Sequence, residues 1–239
     1  MKKLIRSSRF QKMVGGGILE RLFLNTLSRI QLMTLAGHKN PETIKLLRYT
    51  RRKRQSLQTA YEQFFVHSFS TGCAGLPGAM AEVGVFQGCS ARILCETRGD
   101  KNLYLFDTFE GLPDRHEADG NVHATGQYAA SLESVQDFLK DYPDVRYYKG
   151  IFPDSLAAGP PIEDDRFCFA HFDVDLYGGT LACLEYFYPR MTPCGIMLSH
   201  DYSILAGVKQ AFTEFFEDKP ERVIELPSTQ CMVIKQPAV

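Results

Sequence analysis

The chain has 239 residues, 44% of them hydrophobic, and a net charge of −1, enough to bury one substantial α/β core plus an extension without disulfide or metal staples. Its seven cysteines are widely spaced, lie mostly in apolar runs and form no Cys-x-x-Cys pair, which excludes a zinc or thiol-redox motif and predicts small core residues in a reducing, cytoplasmic compartment. The charge is uneven, because residues 1–54 carry 14 of the 27 Lys and Arg against only Glu20 and Glu42.

In chain order, residues 1–78 read as a basic helical N-terminal extension. Ile18, Leu19, Leu22, Phe23, Ile30 and Met33 recur near helical spacing, as do Ile44, Leu47, Leu57, Tyr61, Phe64 and Phe65, which predicts two amphipathic helices with a break near 37–41. The run Arg51-Arg52-Lys53-Arg54 reads as a solvated or subunit-docking face, and the apolar stripes predict a homo-oligomer built through these helices. Dense aromatic and basic interleaving is missing, so no nucleic acid is expected. Glu20, Arg21, Asn25 and Arg29 interrupt residues 13–36, well short of the ~18 uninterrupted apolar residues of a membrane span. No uncharged stretch followed by a small-residue cleavage site marks a secretory signal.

From residue 79 to 239 short apolar runs alternate with helical segments. Strands are predicted at 80–85, 103–106, 145–148, 167–172 and 196–199, and helices at 91–97, 132–142, 181–188 and 208–217. That alternation specifies a doubly wound, Rossmann-like α/β sheet. Only Pro227-Ser228-Thr229-Gln230 separates 222–226 from 231–235, too short for a crossover, so these two form an antiparallel hairpin. A mostly parallel sheet closed by such a hairpin is the architecture of class I methyltransferases. The irregular stretch 108–130, with His116 and His123, reads as a lid.

Ligands of open α/β sheets sit outside the carboxyl ends of the strands. Glu82-Val83-Gly84-Val85-Phe86-Gln87-Gly88 supplies a glycine corner, and Ser90 opens the next helix. Gly84 and Gly88 would admit the ligand's approach, Ser90 with the helix N-terminus would take a carboxylate, and Glu82 would meet a cationic amine. Asp107, ending the second strand, would accept from both ribose hydroxyls. After the third strand, Gly150 and Phe152 would wall an adenine. A ligand with carboxylate, amine and ribose but no pyrophosphate is S-adenosylmethionine, and the Glu-x-Gly-x-x-x-Gly spacing departs from the Gly-x-Gly-x-x-Gly of dinucleotide sites.

A second constellation, Asp173, Asp175, His200 and Asp201, ends two later strands. Asp173 and Asp201 would hold a hard cation such as Mg²⁺ with water and substrate oxygens, the ion orienting a hydroxyl and favouring its alkoxide. Imidazole suits softer ions such as Mn²⁺. A metal-free reading makes His200 the general base, oriented by Asp201 or Asp173. His171, inside an apolar strand, reads as a packed residue. Two rival readings stand beside a methyltransferase: a binding protein that keeps the pocket without turnover, and an NAD(P)-linked oxidoreductase.

The ordered set Glu82 to Gly88, Phe106-Asp107-Thr108-Phe109-Glu110-Gly111-Leu112-Pro113, Lys149-Gly150-Ile151-Phe152-Pro153-Asp154-Ser155-Leu156, Asp173-Val174-Asp175-Leu176-Tyr177-Gly178-Gly179-Thr180 and His200-Asp201-Tyr202 resembles the macrocin O-methyltransferase (TylF/MycF-type) family across about 57–235. The resemblance implies an S-adenosylmethionine-dependent enzyme that methylates a hydroxyl of a small molecule, such as a sugar of a glycosylated natural product, with help from a divalent metal. By position, the implied cofactor contacts are Glu82, Gly84, Phe86, Gly88, Ser90, Asp107, Gly150, Phe152 and Asp173. The implied metal ligands are Asp173, His200 and Asp201, and the expected catalytic groups are His200 and Asp175. The family's usual Asp-Asp-Tyr is here His200-Asp201-Tyr202, a departure at the metal position.

Overall fold

A computed structural model describes residues 18–114, 117–119, 123–164 and 166–237. Among the described residues three helices precede the sheet: α1 (Ile18–Ala36), α2 (Pro41–Lys53) and α3 (Ala60–Cys73). Asn40 caps α2 by accepting from the Glu42 amide at 2.9 Å, with Pro41 in the first turn. The expected second helix is in fact two. Arg54 turns extended (φ −138°, ψ 154°), and α3 starts afresh at Thr59, whose hydroxyl and amide exchange hydrogen bonds with the Glu62 amide and carboxylate. This capping box satisfies two otherwise orphaned helix donors, which favours a new helix start over continuation.

The remaining elements run β1 (Ala79–Val83), α4 (Cys89–Thr97), β2 (Leu103–Asp107), a 3₁₀ turn (Glu117–Asp119), α5 (Leu132–Leu139), β3 (Val145–Lys149), α6 (Ser155–Ala158), β4 (Phe167–Phe172), α7 (Tyr177–Phe187), a second 3₁₀ turn (Tyr188–Arg190), β5 (Met191–Ser199), α8 (Ala206–Phe215), β6 (Ile224–Glu225) and β7 (Cys231–Ile234). The seven strands lie in the order β3-β2-β1-β4-β5-β7-β6. Strands β1 to β5 pair in parallel, and β7 is antiparallel to both β5 and β6. This is the doubly wound sheet with the terminal hairpin inserted at its edge. The largest differences from expectation are that β5 begins at Met191 instead of 196, α7 begins at Tyr177 instead of 181, α5 ends at Leu139 instead of 142, β6 keeps only Ile224–Glu225 of 222–226, and α6 is not predicted by the sequence. Pro193, Gly195, Gly178 and Gly179 mask those starts, since each weakens the local propensity for the element that holds it.

Apolar layers cover both faces of the sheet. On one, Leu47 of α2, Val66 of α3 and Ile93 and Leu94 of α4 bury Met80 and Leu105. On the other, α7 and α8 pack over Phe106, Phe167 and Phe172, and the Phe187 ring lies 5.0 to 6.4 Å from those three rings and from Phe152. Each such phenyl contributes about 1.5–3 kcal/mol of burial. Helices α2 and α3 therefore share a core with the sheet and act as part of one flanking layer. Helix α1 is more peripheral: Leu32 and Leu35 are buried, whereas Leu22, Phe23, Ile30 and Met33 are exposed. No helix among the described residues is long and apolar enough to cross a membrane.

Candidate active site

Strand order reverses between β1 and β4, and the loops leaving their carboxyl ends border a cavity of about 820 Å³. That size falls in the range of about 300–1,000 Å³ typical of small-molecule sites. Residues 83–87 of the glycine corner, Asp107, Gly150, Phe152 and the Asp173, Asp175, His200, Asp201 group all line it. The two constellations separated by some ninety residues of sequence thus face a single space.

The corner is built differently from expectation. At Gly84 (φ +87°) an added Cβ would sit 1.9 Å from the Asp173 carbonyl oxygen, so the close approach of the β1 and β4 ends requires glycine there. Gly88 (φ +80°) caps α4 in the left-handed conformation beside Val135 and Phe138 and does not line the cavity. Glu82 is also absent from the lining. It is wholly buried, and its Oε1 accepts from Nδ1 of His171, its register partner on β4, at 2.8 Å. Burial raises the Glu82 carboxyl above its ordinary range against the opposing pull of His171 and Ser90. The amine role foreseen for Glu82 is therefore taken by a histidine beneath the cavity floor. Ser90, which faces Glu82, does line the space.

Phe86 holds a left-handed backbone (φ +48°) and sets its ring edge-on to Tyr128 at 6.2 Å. Asp107 fixes that turn: Oδ2 accepts from the amides of Val85 (2.7 Å) and Phe86 (2.9 Å), and Oδ1 from that of Phe109 (2.7 Å). Its carboxylate is thus a brace for the corner as well as part of the wall. Phe152 stacks on Phe187 at 5.6 Å and meets Phe106 edge-on at 5.1 Å, leaving a rigid aromatic plate at the cavity side. The lid contributes Leu112, Asp119, His123 and Tyr128 to the lining, and α1 contributes Phe23, Leu24 and Leu27. His116 lies outside the described residues.

At the other end, His200 is 8% exposed and surrounded by carboxylates. Its Nδ1 lies 3.0 Å from Asp173 Oδ1 and 3.2 Å from Asp201 Oδ2, and its Nε2 lies 3.5 Å from Glu62 Oε2. Nδ1 nonetheless makes a well-formed hydrogen bond to neither aspartate. Burial works to lower the imidazole pKa, but Asp173, Asp201 and Glu62 together hold it well above the ordinary histidine range. Burial would raise the Glu62 and Asp173 carboxyls, but His200 together with the hydrogen bonds from Thr59 and Thr229 at Glu62, and His200 with His171 and Gln58 at Asp173, leaves both depressed. Asp175 goes the other way, raised well above its usual value by burial and then by Asp201 and Asp173. Carboxylates thus face both nitrogens of the His200 ring.

Two residues of this cluster escaped the sequence reading. Glu62 reaches it from the first turn of α3, where the Thr59 amide (2.6 Å) and the Thr229 amide (3.2 Å) and hydroxyl (2.8 Å) fix its carboxylate. The Thr59-x-x-Glu62 capping signature marks it as a helix start, though not as a site residue. Gln58 donates from Nε2 to Asp173 Oδ2 at 2.8 Å and meets His171 Nε2 at 3.3 Å. Since that amide nitrogen only donates, His171 accepts at Nε2 and carries its proton on Nδ1 toward Glu82. Glu82, His171, Gln58 and Asp173 form one hydrogen-bonded chain running from the buried strands to the cavity wall.

The family model described as "Macrocin-O-methyltransferase (TylF)" matches residues 46–230. Among curated proteins, the chain is 32% identical over 146 residues to the 8-demethyl-8-(2,3-dimethoxy-alpha-L-rhamnosyl)-tetracenomycin-C 4'-O-methyltransferase of Streptomyces olivaceus, covering 54% of this chain and 55% of that one. It is 31% identical over 150 residues to the mycinamicin III 3''-O-methyltransferase of Micromonospora griseorubida, covering 55% and 58%. The matched stretch thus spans little more than half the length of these relatives. Among solved structures, the O-methyltransferase NovP superposes with a TM-score of 0.68 at 20% identity, over 90% of this chain and 99% of that one. CalS11, a calicheamicin methyltransferase, gives 0.60 at 21% identity over 87% and 91%. These likenesses fix the fold as that of class I methyltransferases, and the family match over 46–230 places the chain in the macrocin O-methyltransferase (TylF) family.

Proposed function

We propose that the chain transfers the sulfonium methyl of S-adenosylmethionine to a hydroxyl of a small molecule, a sugar or a glycosylated natural product. The observation that carries this reading is the single cavity shared by the Gly84 corner, Asp107 and Phe152 at one end and Asp173, Asp175, His200 and Asp201 at the other. The names of the relatives, which methylate tetracenomycin and mycinamicin compounds, support the acceptor class.

S-adenosylmethionine supplies an electrophilic methyl, and the protein supplies position and proton removal. The turn braced by Asp107 and the plate formed by Phe152 fit an adenosyl group, and Gln58 Oε1, buried and without a partner beside the cavity, offers an acceptor. Holding the acceptor oxygen in line with the methyl contributes most of the rate by removing orientational freedom. Burial and its acidic neighbours raise Asp175 well above the usual carboxylate range, which suits it to take the proton of the hydroxyl as the methyl transfers. The lid and α1 exclude water from the reacting pair.

The cluster also fits a divalent ion. The donor atoms of Asp173, His200 and Asp201 lie within 4.8 Å of one another, and Nδ1 of His200 is a buried nitrogen without a hydrogen-bond partner. Bound there, the ion would favour ionisation of the acceptor hydroxyl. On α1, exposed Leu22, Ile30 and Met33 support docking of a second copy, for which light scattering is the check and a monomer the refuting result. The seven free cysteines suit a reducing, cytoplasmic setting.

Calorimetric titration with S-adenosylhomocysteine and with NADPH tests the cofactor, and mass spectrometry of acceptor sugars and glycosides tests the transfer. Binding of the former alone is expected, with transfer lost in Asp201→Asn and cofactor binding retained. NADPH binding, or a chain that ignores S-adenosylhomocysteine, would overturn the reading.

A further inference from the structure

We propose that the donors at this site select a first-row transition ion, Mn²⁺ in place of Mg²⁺, with Glu62 as the residue that orients His200 toward it. The inference deepens the reading of the same site and rests on it only for the location of the ion. Its basis is the donor set itself: one imidazole nitrogen and two carboxylate oxygens, from Asp173, His200 and Asp201. Ligands at right angles around an ion with bonds of about 2.1 Å are about 3 Å apart, and Nδ1 lies 3.0 Å from Asp173 Oδ1 and 3.2 Å from Asp201 Oδ2.

Two of the three donors are held from behind. The second oxygen of Asp173 is bound by the Gln58 amide at 2.8 Å, which leaves Oδ1 on the His200 side. Nε2 of His200 faces Glu62 at 3.5 Å, and Glu62 is itself tied to Thr59 and Thr229. A ligating histidine whose other ring nitrogen meets a carboxylate is the usual support for a metal–imidazole bond, because it fixes the tautomer and raises the basicity of the ligating nitrogen. Mg²⁺ is poorly served by such a site, since it prefers all-oxygen shells and sheds water reluctantly. Mn²⁺ accepts mixed nitrogen and oxygen donors.

The test is equilibrium binding to the full-length, metal-stripped protein, read by calorimetry with MnCl₂ and MgCl₂ and by loss of the free Mn²⁺ resonance in electron paramagnetic spectra. One Mn²⁺ per chain is expected, at least about 10-fold tighter than Mg²⁺. His200→Asp should erase that preference by completing an all-carboxylate site. Glu62→Gln should weaken Mn²⁺ binding by about 10- to 100-fold, with circular dichroism confirming that the variant folds; if it does not fold, the wild-type ion ratio and the His200→Asp result decide. Equal affinity for the two ions, an unchanged ratio in His200→Asp, or no bound ion at all overturns the inference. S-adenosylhomocysteine binding, measured on the same samples, separates that failure from failure of the methyl-transfer reading.

Discussion

Gly207→Ala should open the lid without unfolding the protein. Gly207 is the second residue of α8, and a Cβ there would lie 2.3 Å from Asp119 Oδ1 and 3.2 Å from the Tyr177 amide. Asp119 ends the short turn within the lid, and Oδ1 accepts from the Tyr177 amide at the start of α7 at 2.6 Å. Ordinary contact needs Oδ1 to retreat by about 1 Å, which breaks this bond. A hydrogen bond to a charged acceptor contributes about 1.5–3 kcal/mol, whereas alanine in place of glycine within a helix gains up to about 1 kcal/mol. The loss is confined to the lid contact and the gain belongs to the whole domain, so the melting temperature should move by no more than about 2–4 °C. Exchange of the Tyr177 amide should meanwhile accelerate by roughly 10- to 100-fold, and the acceptor KM should rise. A Tyr177 amide that exchanges at the wild-type rate in Gly207→Ala would refute the latch.

Gly84→Ala places a methyl 1.9 Å from the Asp173 carbonyl at a φ of +87°, so β1 and β4 cannot both keep their ends in place; S-adenosylhomocysteine affinity should fall at least about tenfold, and wild-type affinity in calorimetry would count against the geometry. Phe152→Ala removes a ring stacked on Phe187 and should cost about 3–5 kcal/mol, read as a shift in the urea midpoint, with Phe152→Leu losing less. Glu221 is buried against Lys235 (2.7 Å) and the Tyr188 hydroxyl (2.8 Å); these partners overcome its burial and lower its carboxyl from 4.5 to about 2. Between those values the unfolded chain binds the extra proton, so the stabilisation is complete above about pH 4.5 and is lost as pH falls toward 2. Allowing for solvent around Lys235, it amounts to about 1–2 kcal/mol; urea titrations at pH 3 and 6 should show Glu221→Gln losing less stability on acidification than wild type, and parallel losses would remove the argument.

The strands were legible because each is a short apolar run. Phe167–Phe172 matches its predicted bounds in full, and the polar residues ending it and β5 could be assigned to one sheet edge without coordinates. The hairpin was legible from its four-residue turn. Register was not, and register decides Glu82: an acid on a strand looks alike in sequence whether it faces the ligand or, as here, a histidine opposite it on the next strand. Glycine shows the same ambiguity, since Gly84 answers to a neighbouring carbonyl and Gly88 to a helix start. Gln58 and Glu62 stayed hidden for a different reason. Gln58 sits in the turn between α2 and α3 and Glu62 in the first turn of α3, far in sequence from Asp173 and His200, which they reach only through packing of α3.

That packing changes what the N-terminal helices are for. A basic run beside an apolar stripe reads as a surface device, yet Arg51 to Arg54 lead directly into the turn that delivers Gln58 and Glu62. Arg54 itself is consumed in anchoring the turn to α5, through the Ser134 hydroxyl (2.7 Å) and carbonyl (2.8 Å) and over the Phe138 ring. The Gln55 amide is held by the Gln87 side chain at 2.8 Å, within the glycine corner. The turn is therefore tied at its start to α5 and the corner and at its end to the carboxylate cluster, bridging both halves of the cavity. Because Asp107 braces the corner while Gln58 and Glu62 brace Asp173 and His200, the polar groups stand in place before any ligand arrives. Such preorganisation is what lets a site orient two reactants without paying for its own rearrangement. It follows that loss of the 54–62 segment would be felt first as misplacement of Asp173 and His200, and only then as a loss of core.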